Sequence, residues 1–155
     1  MRQSLFRKIK RTWLLAILGA PLIGLASSAF ITLVSNTFRI KSESLSEFQN
    51  LITQISGIEI LYAVLIIGVV MPIIEELVFR GLLWKLLKFC RFSDLFVFYA
   101  TSILFAAAHI DPIHVLGVFP LAIFFGWLRL KTNSVIPGIF AHMSNNLLAC
   151  ALILL

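Results

Sequence analysis

Ile73-Ile74-Glu75-Glu76-Leu77-Val78-Phe79-Arg80-Gly81 sets two adjacent carboxylates and an arginine into an apolar run. The run begins at Ile58 and resumes after the charges as Leu82-Leu83-Trp84, ending at Lys85 and Lys88. A charged side chain at the centre of a bilayer costs on the order of 2.5–3.5 kcal/mol on insertion scales. Three such groups within six residues must each be compensated, and intramembrane ionisable residues mark a functional site by default.

Composition places that stretch in a membrane. Of 155 residues, 60% are hydrophobic and 13% charged, and the mean hydropathy is +1.01. A soluble domain is about half apolar and a quarter charged. The expected fold is all-α, a polytopic transmembrane helical bundle of about five spans. The net charge of +6 would point to nucleic acid in a soluble chain. Here the basic residues read as topology signals, and no nucleic-acid partner is expected. Cys90 and Cys150 are far apart in sequence and fall on opposite sides of the membrane in the topology below, which argues against a disulfide.

Two units are expected. Residues 1–57 comprise a basic cytoplasmic arm (Arg2, Arg7, Lys8, Lys10, Arg11), a first transmembrane helix and an amphipathic connector. The first span runs from Trp13 to Phe38, with a kink expected at Pro21. A basic start followed by Ala26-Ser27-Ser28-Ala29 also fits a cleavable signal peptide. Apolar character continuing through Leu33 and Val34 favours an uncleaved signal-anchor. In the connector, Leu45, Phe48, Leu51, Ile52 and Ile55 recur at helical spacing, as in a helix lying at a membrane surface. Residues 58–155 form a four-helix membrane core. Its spans run from Ile58 to Lys88, Leu95 to Ile110, 113–130 and 135–155. Pro72 should bend the first of these, Ser93 or Asp94 should cap the second, and Asp111-Pro112 should end it.

Ten basic residues fall in the segments read as cytoplasmic and two, Arg39 and Lys41, in the outer ones, with Arg80 set aside. This bias predicts N-in, C-out.

The polar residues inside the core are Glu75, Glu76, Arg80, His109, His142 and Asn146. Glu76 and Arg80 are four apart and can pair on one helix face, while Glu75 is turned about 100° away. His142 and Asn146 share a face, as do Phe105 and His109. At about 1.5 Å per residue, Glu75 lies roughly 20 Å from Lys88, His109 roughly 22 Å from Asp94, and Asn146 roughly 18 Å from Ser134. Three helices therefore carry polar groups to similar depth, provided that the second span continues past Arg80 to Lys88. A carboxylate, two imidazoles and an amide in one buried pocket suggest hydrolysis. A carboxylate taken out of water is a stronger base, and imidazole or amide N–H groups can stabilise an oxyanion. A structural ion-pair network would account for Glu76 and Arg80 but leaves Glu75 without a partner. Asn145 reads as packing between helices, His114 as an interfacial loop residue, and Gly117 and Gly126 as sites of close helix contact. Phe119, Phe124, Phe125 and Trp127 read as lipid-facing or packing residues.

These residues resemble the CAAX prenyl endopeptidase and bacteriocin-processing (CPBP, or ABI-domain) family of intramembrane peptidases. Its EExxxR motif is matched by Glu75, Glu76 and Arg80, followed by Gly81; FxxxH by Phe105 and His109; and HxxxN by His142 and Asn146. Each motif is weak alone. All three in order, each on an apolar helix, are specific. The resemblance spans about residues 58–155 and implies a glutamic-type endopeptidase with a glutamate-activated water, no bound metal and a site open toward the cytoplasmic side. It implies Glu75 as base, His109 as water partner, and His142 with Asn146 as oxyanion stabilisers, with Glu76, Arg80 and Phe105 supporting them. The implied partners are the lipid bilayer and a membrane-associated peptide or protein substrate. Prenylated substrates characterise the eukaryotic branch, whereas the chain's small size is similar to a bacterial member of the plasma membrane. Two other functions fit the same residues: a zinc-dependent membrane peptidase, though HExxH is absent, and a non-catalytic immunity or partner-binding membrane protein.

Overall fold

The structure, a computed structural model, describes residues 2–40 and 42–154, with side chains from Thr12 onward except at 43–45, 48–49 and 53. The basic side chains of the arm, Lys41, and the apolar side chains at 45 and 48 lie outside the described residues. Of the described residues, 88% are helical. We number its helices α1 (Arg2–Phe38), α2 (Glu43–Gln54), α3 (Ile58–Phe89), α4 (Asp94–Ala107), α5 (Pro112–Thr132) and α6 (Ile136–Leu154).

Among the described residues, four segments are long and apolar enough to cross a membrane: Thr12–Phe38 within α1, and α3, α5 and α6. The segment read as the span Leu95–Ile110 is the shorter helix α4, of 14 residues. At about 1.5 Å per residue this covers roughly 21 Å, less than the ≈ 30 Å hydrocarbon layer. The cause is local. The N–H groups of His109 and Ile110 bond back only three residues, to the carbonyls of Ala106 and Ala107. Ile110 then takes a left-handed φ of 62°, and the ring of Pro112 rules out continuing the old helix.

The other boundaries follow capping chemistry. Ser93 Oγ accepts from the Phe96 N–H at the start of α4. Asp111 Oδ1 accepts from the N–H groups of Ile113 and His114, with Pro112 in the first turn of α5, where its missing N–H costs nothing. Asn133, at φ 51°, closes α5. Ser42 Oγ donates to Asp111 Oδ2 at 2.8 Å, so the connector before α2 meets the α4–α5 turn at the same end of the bundle.

α5 lies at the centre, packed against α1, α4 and α6, and α6 also packs on α1 and on α3. The core contains Ala16 and Ala20 of α1, Phe105 and Ala106 of α4, Leu121, Ala122, Phe125 and Leu128 of α5, and Ala141 of α6. Small residues bring the helices close. A Cβ added at Gly126 would stand 2.6 Å from Ser102 Oγ, and one at Gly117 3.2 Å from Ile31. The amide of Asn145 sits directly against Gly24 of α1. Outward-facing side chains such as Leu61, Leu65, Leu82 and Ile103 are exposed, as a surface solvated by lipid requires.

α3 runs unbroken through the charged stretch to Phe89, but not in a uniform register. Residues Ile66–Val70 and Leu77–Leu83 are π-helical, one on each side of Glu75 and Glu76.

Candidate active site

Glu76 and Arg80 are each 0% exposed, and Arg80 is the largest fully buried side chain among the described residues. They pair at 2.9 Å, Arg80 Nη1 donating to Glu76 Oε1. Arg80 Nη2 donates to the carbonyl of Ala122 at 2.9 Å, which also accepts from Ser102 Oγ at 3.1 Å. The guanidinium lies 4.1 Å from the centroid of the Phe105 ring. A buried arginine held by a carboxylate, a carbonyl and an aromatic face is compensated rather than free to react. Gly138 lets α6 come close beside this pair: a Cβ added there would stand 2.8 Å from Glu76 Oε2 and displace it.

Glu75 sits one position round the helix and is 24% exposed in its side chain. It lines a cleft of about 190 Å³ together with Phe79, Phe105, Ala108 and His109. His109 Nδ1 lies 3.1 Å from the carbonyl of Phe105. The carbonyl can only accept, so Nδ1 carries a proton, and in the neutral ring Nε2 is then the acceptor.

His142 stands between the two carboxylates, with Nε2 3.7 Å from Glu75 Oε2 and Nδ1 3.5 Å from Glu76 Oε1. Its ring stacks on Phe125, with centroids 4.8 Å apart and planes at 24°, and meets the edge of Phe105 at 5.6 Å. Phe105 is therefore the hub of the site, in contact with Arg80, His109 and His142.

Asn146 faces the same helix but one turn along α6. Its Nδ2 donates to the carbonyl of Ile67 at 3.1 Å, and its Oδ1 accepts from Asn145 Nδ2 at 3.1 Å. The Ile67 bond has a clear origin. In the π register the N–H of Met71 bonds to Ile66 O. The next donor in line would be residue 72, a proline without an N–H, and Asn146 supplies the missing donor.

The structure thus brings Glu75, Glu76, Arg80, His109 and His142 together around Phe105, whereas Asn146 bonds to Ile67 and Asn145 and to none of these. Phe125 and Gly138 escaped the reading by motif. Phe125 was one of several aromatics at helical spacing, and only packing picks it out. Gly138, next to Pro137 at the start of α6, carried a weak signal as a possible close approach. His114, read as an interfacial loop residue, is instead in the first turn of α5 with its ring 4.8 Å from that of His109. Among the described residues no three His, Cys, Asp or Glu side chains are grouped so as to hold a metal ion.

A comparison with known families matches residues 57–148 to the type II CAAX prenyl endopeptidase Rce1-like family. No curated protein and no solved structure matches the chain. The match covers more than half of the sequence and contains all three motifs, so the chain is an integral membrane protein of the hydrolase class and belongs to the Rce1-like family of CAAX proteases.

Proposed function

We propose that this chain is a glutamic-type intramembrane endopeptidase in which Glu75 activates water. The observation that carries this reading is the shared cleft: Glu75 and His109 line one cavity whose other walls are apolar, while Glu76 is taken up by Arg80. A water there would give its proton to Glu75 as its oxygen attacks the peptide carbonyl, with His109 Nε2 accepting a hydrogen bond that orients it. The carbonyl oxygen becomes an oxyanion, and in this reading an N–H from His142 and the second N–H of the Asn146 amide stabilise it, the first amide N–H being engaged with Ile67. Glu75 then returns the proton to the departing amine, and both products leave with no change in the enzyme.

Glu76, Arg80 and Phe105 hold this array without entering the reaction. The substrate is a membrane-associated peptide or protein. By the distribution of basic residues it is reached from the cytoplasmic side, with the N-terminus inside and α6 ending outside. The chemistry belongs in a bacterial plasma membrane. The test is a comparison of membrane peptides from cells carrying wild-type protein and Glu75→Ala. A peptide precursor that accumulates only in the variant supports the reading, and identical peptide sets contradict it.

A further inference from the structure

α3 leaves the α register twice, immediately before and immediately after the stretch that carries both acids. Such π turns are rare and persist only where something offsets their poorer backbone bonding. In each, a carbonyl that the helix's own ladder passes over is taken by a side chain from another helix. Asn146 of α6 takes Ile67. At the second turn, the N–H of Trp84 bonds to the carbonyls of Phe79 and Gly81 and skips that of Arg80. Arg129 of α5 fills the gap, its Nε donating to Arg80 O at 2.9 Å.

Arg129 is itself held firmly. It is 8% exposed, its Nη1 donates to Asn133 Oδ1 at 2.8 Å, and its guanidinium lies 5.2 Å from the centroid of the Trp84 ring. These donors go to a carbonyl and an amide, an unusual use of a buried cation, since arginine's fork suits carboxylates and phosphates.

We propose that Arg129 is a positioning residue for the active site. By holding the Arg80 carbonyl it keeps Leu77–Leu83 in the π register, and that register sets the angle at which the Arg80 side chain meets Glu76. Glu76 in turn stands 3.5 Å from His142. A π turn holds more residues than an α turn, so reversion to α geometry rotates Arg80 relative to Glu76 and loosens the wall against which His142 stands. The inference rests on the catalytic reading above for its effect on rate, but not for its effect on the helix.

The test uses full-length protein in lipid vesicles with two readouts: amide hydrogen exchange along α3, and cleavage of whichever of two fluorescence-quenched peptides ending in a CAAX sequence, one farnesylated and one not, the wild type turns over. Arg129→Met should raise exchange across Leu77–Leu83 while leaving α4 as in wild type. It should lower kcat about tenfold, the scale on which small misplacements act, and leave KM within about twofold. Arg129→Lys keeps a donor for Arg80 O and should recover most of kcat. Asn133→Gly suits the left-handed backbone at φ 51°, removes one anchor of Arg129 without touching α3, and should produce a smaller change in the same direction. Unchanged exchange in Leu77–Leu83, unchanged kcat, or a raised KM with kcat intact would overturn the proposal. If Arg129→Met fails to insert, Asn133→Gly decides by the same criteria. Glu75→Gln separates the two levels. Full activity in that variant removes the catalytic reading and leaves the exchange result standing, whereas an inactive Glu75→Gln beside a fully active Arg129→Met overturns the positioning role alone.

Discussion

Adjacent carboxylates at 75 and 76 meet different fates because neighbouring helix positions point about 100° apart. Glu76 turns into the bundle, where Arg80 waits one turn on, and Glu75 turns to the cleft beside His109. Removing one member of a buried pair strands the other, at a cost of about 3–5 kcal/mol. Glu76→Leu and Arg80→Met should each lower thermal stability sharply in detergent, and the double variant should lose less than the sum of the two. Strict additivity would mean that the pair is not coupled. Chelation belongs to this scale as well. Cleavage should proceed unchanged in phenanthroline, and a loss restored by added zinc would move the chemistry to a metal. Spacing and depth singled out the acidic pair, its arginine, His109 and His142 as candidates, and their roles came only with the resemblance to a family. Phe125 and Gly138 were not singled out, because an apolar face shows that a residue is buried without showing against what.

At the scale of the element, α3 is the part that pattern reading captured only in outline. Its passage through the charges to Phe89 follows from the apolar run on both sides. Its two π turns do not, because a change of hydrogen-bond register leaves the hydrophobic pattern almost intact. Pro72 did announce a missing donor, and Asn146 is the group that answers it. Asn146→Ala should therefore cost about 1–3 kcal/mol, the penalty for an unpaired buried carbonyl. In a Pro72→Ala background, where the backbone N–H is restored, the same change should cost measurably less. Equal costs in both backgrounds, read by thermal unfolding, would show that Asn146 does not substitute for the proline's donor. α4 shows the opposite limit. Ala108 and Ile110 are apolar enough to extend a span, yet the chain tightens into three-residue turns there, a choice made by Asp111, Pro112 and the cap they build.

For the whole molecule, composition alone pointed to an all-α membrane bundle, and the helices and the family match agree. The proposed orientation is tested at the loops: the bias of basic residues predicts that a reporter fused after residue 155 is exported and one inserted at 90–92 stays in the cytoplasm. The reverse pattern would invert the proposed side of substrate access. The packing of three motif helices around Phe105 makes sense of why residues from α3, α4 and α6 must fold together before any chemistry is possible. The most direct test of that chemistry is cleavage of CAAX-terminated peptides, farnesylated and unmodified, by purified wild-type and Glu75→Gln protein in lipid vesicles, with turnover compared on the peptide that the wild type cleaves and thermal unfolding measured on both. The account predicts closely similar unfolding and a fall in turnover of about 10²–10⁴-fold, the range for loss of a general base. Equal turnover by the two proteins would contradict it.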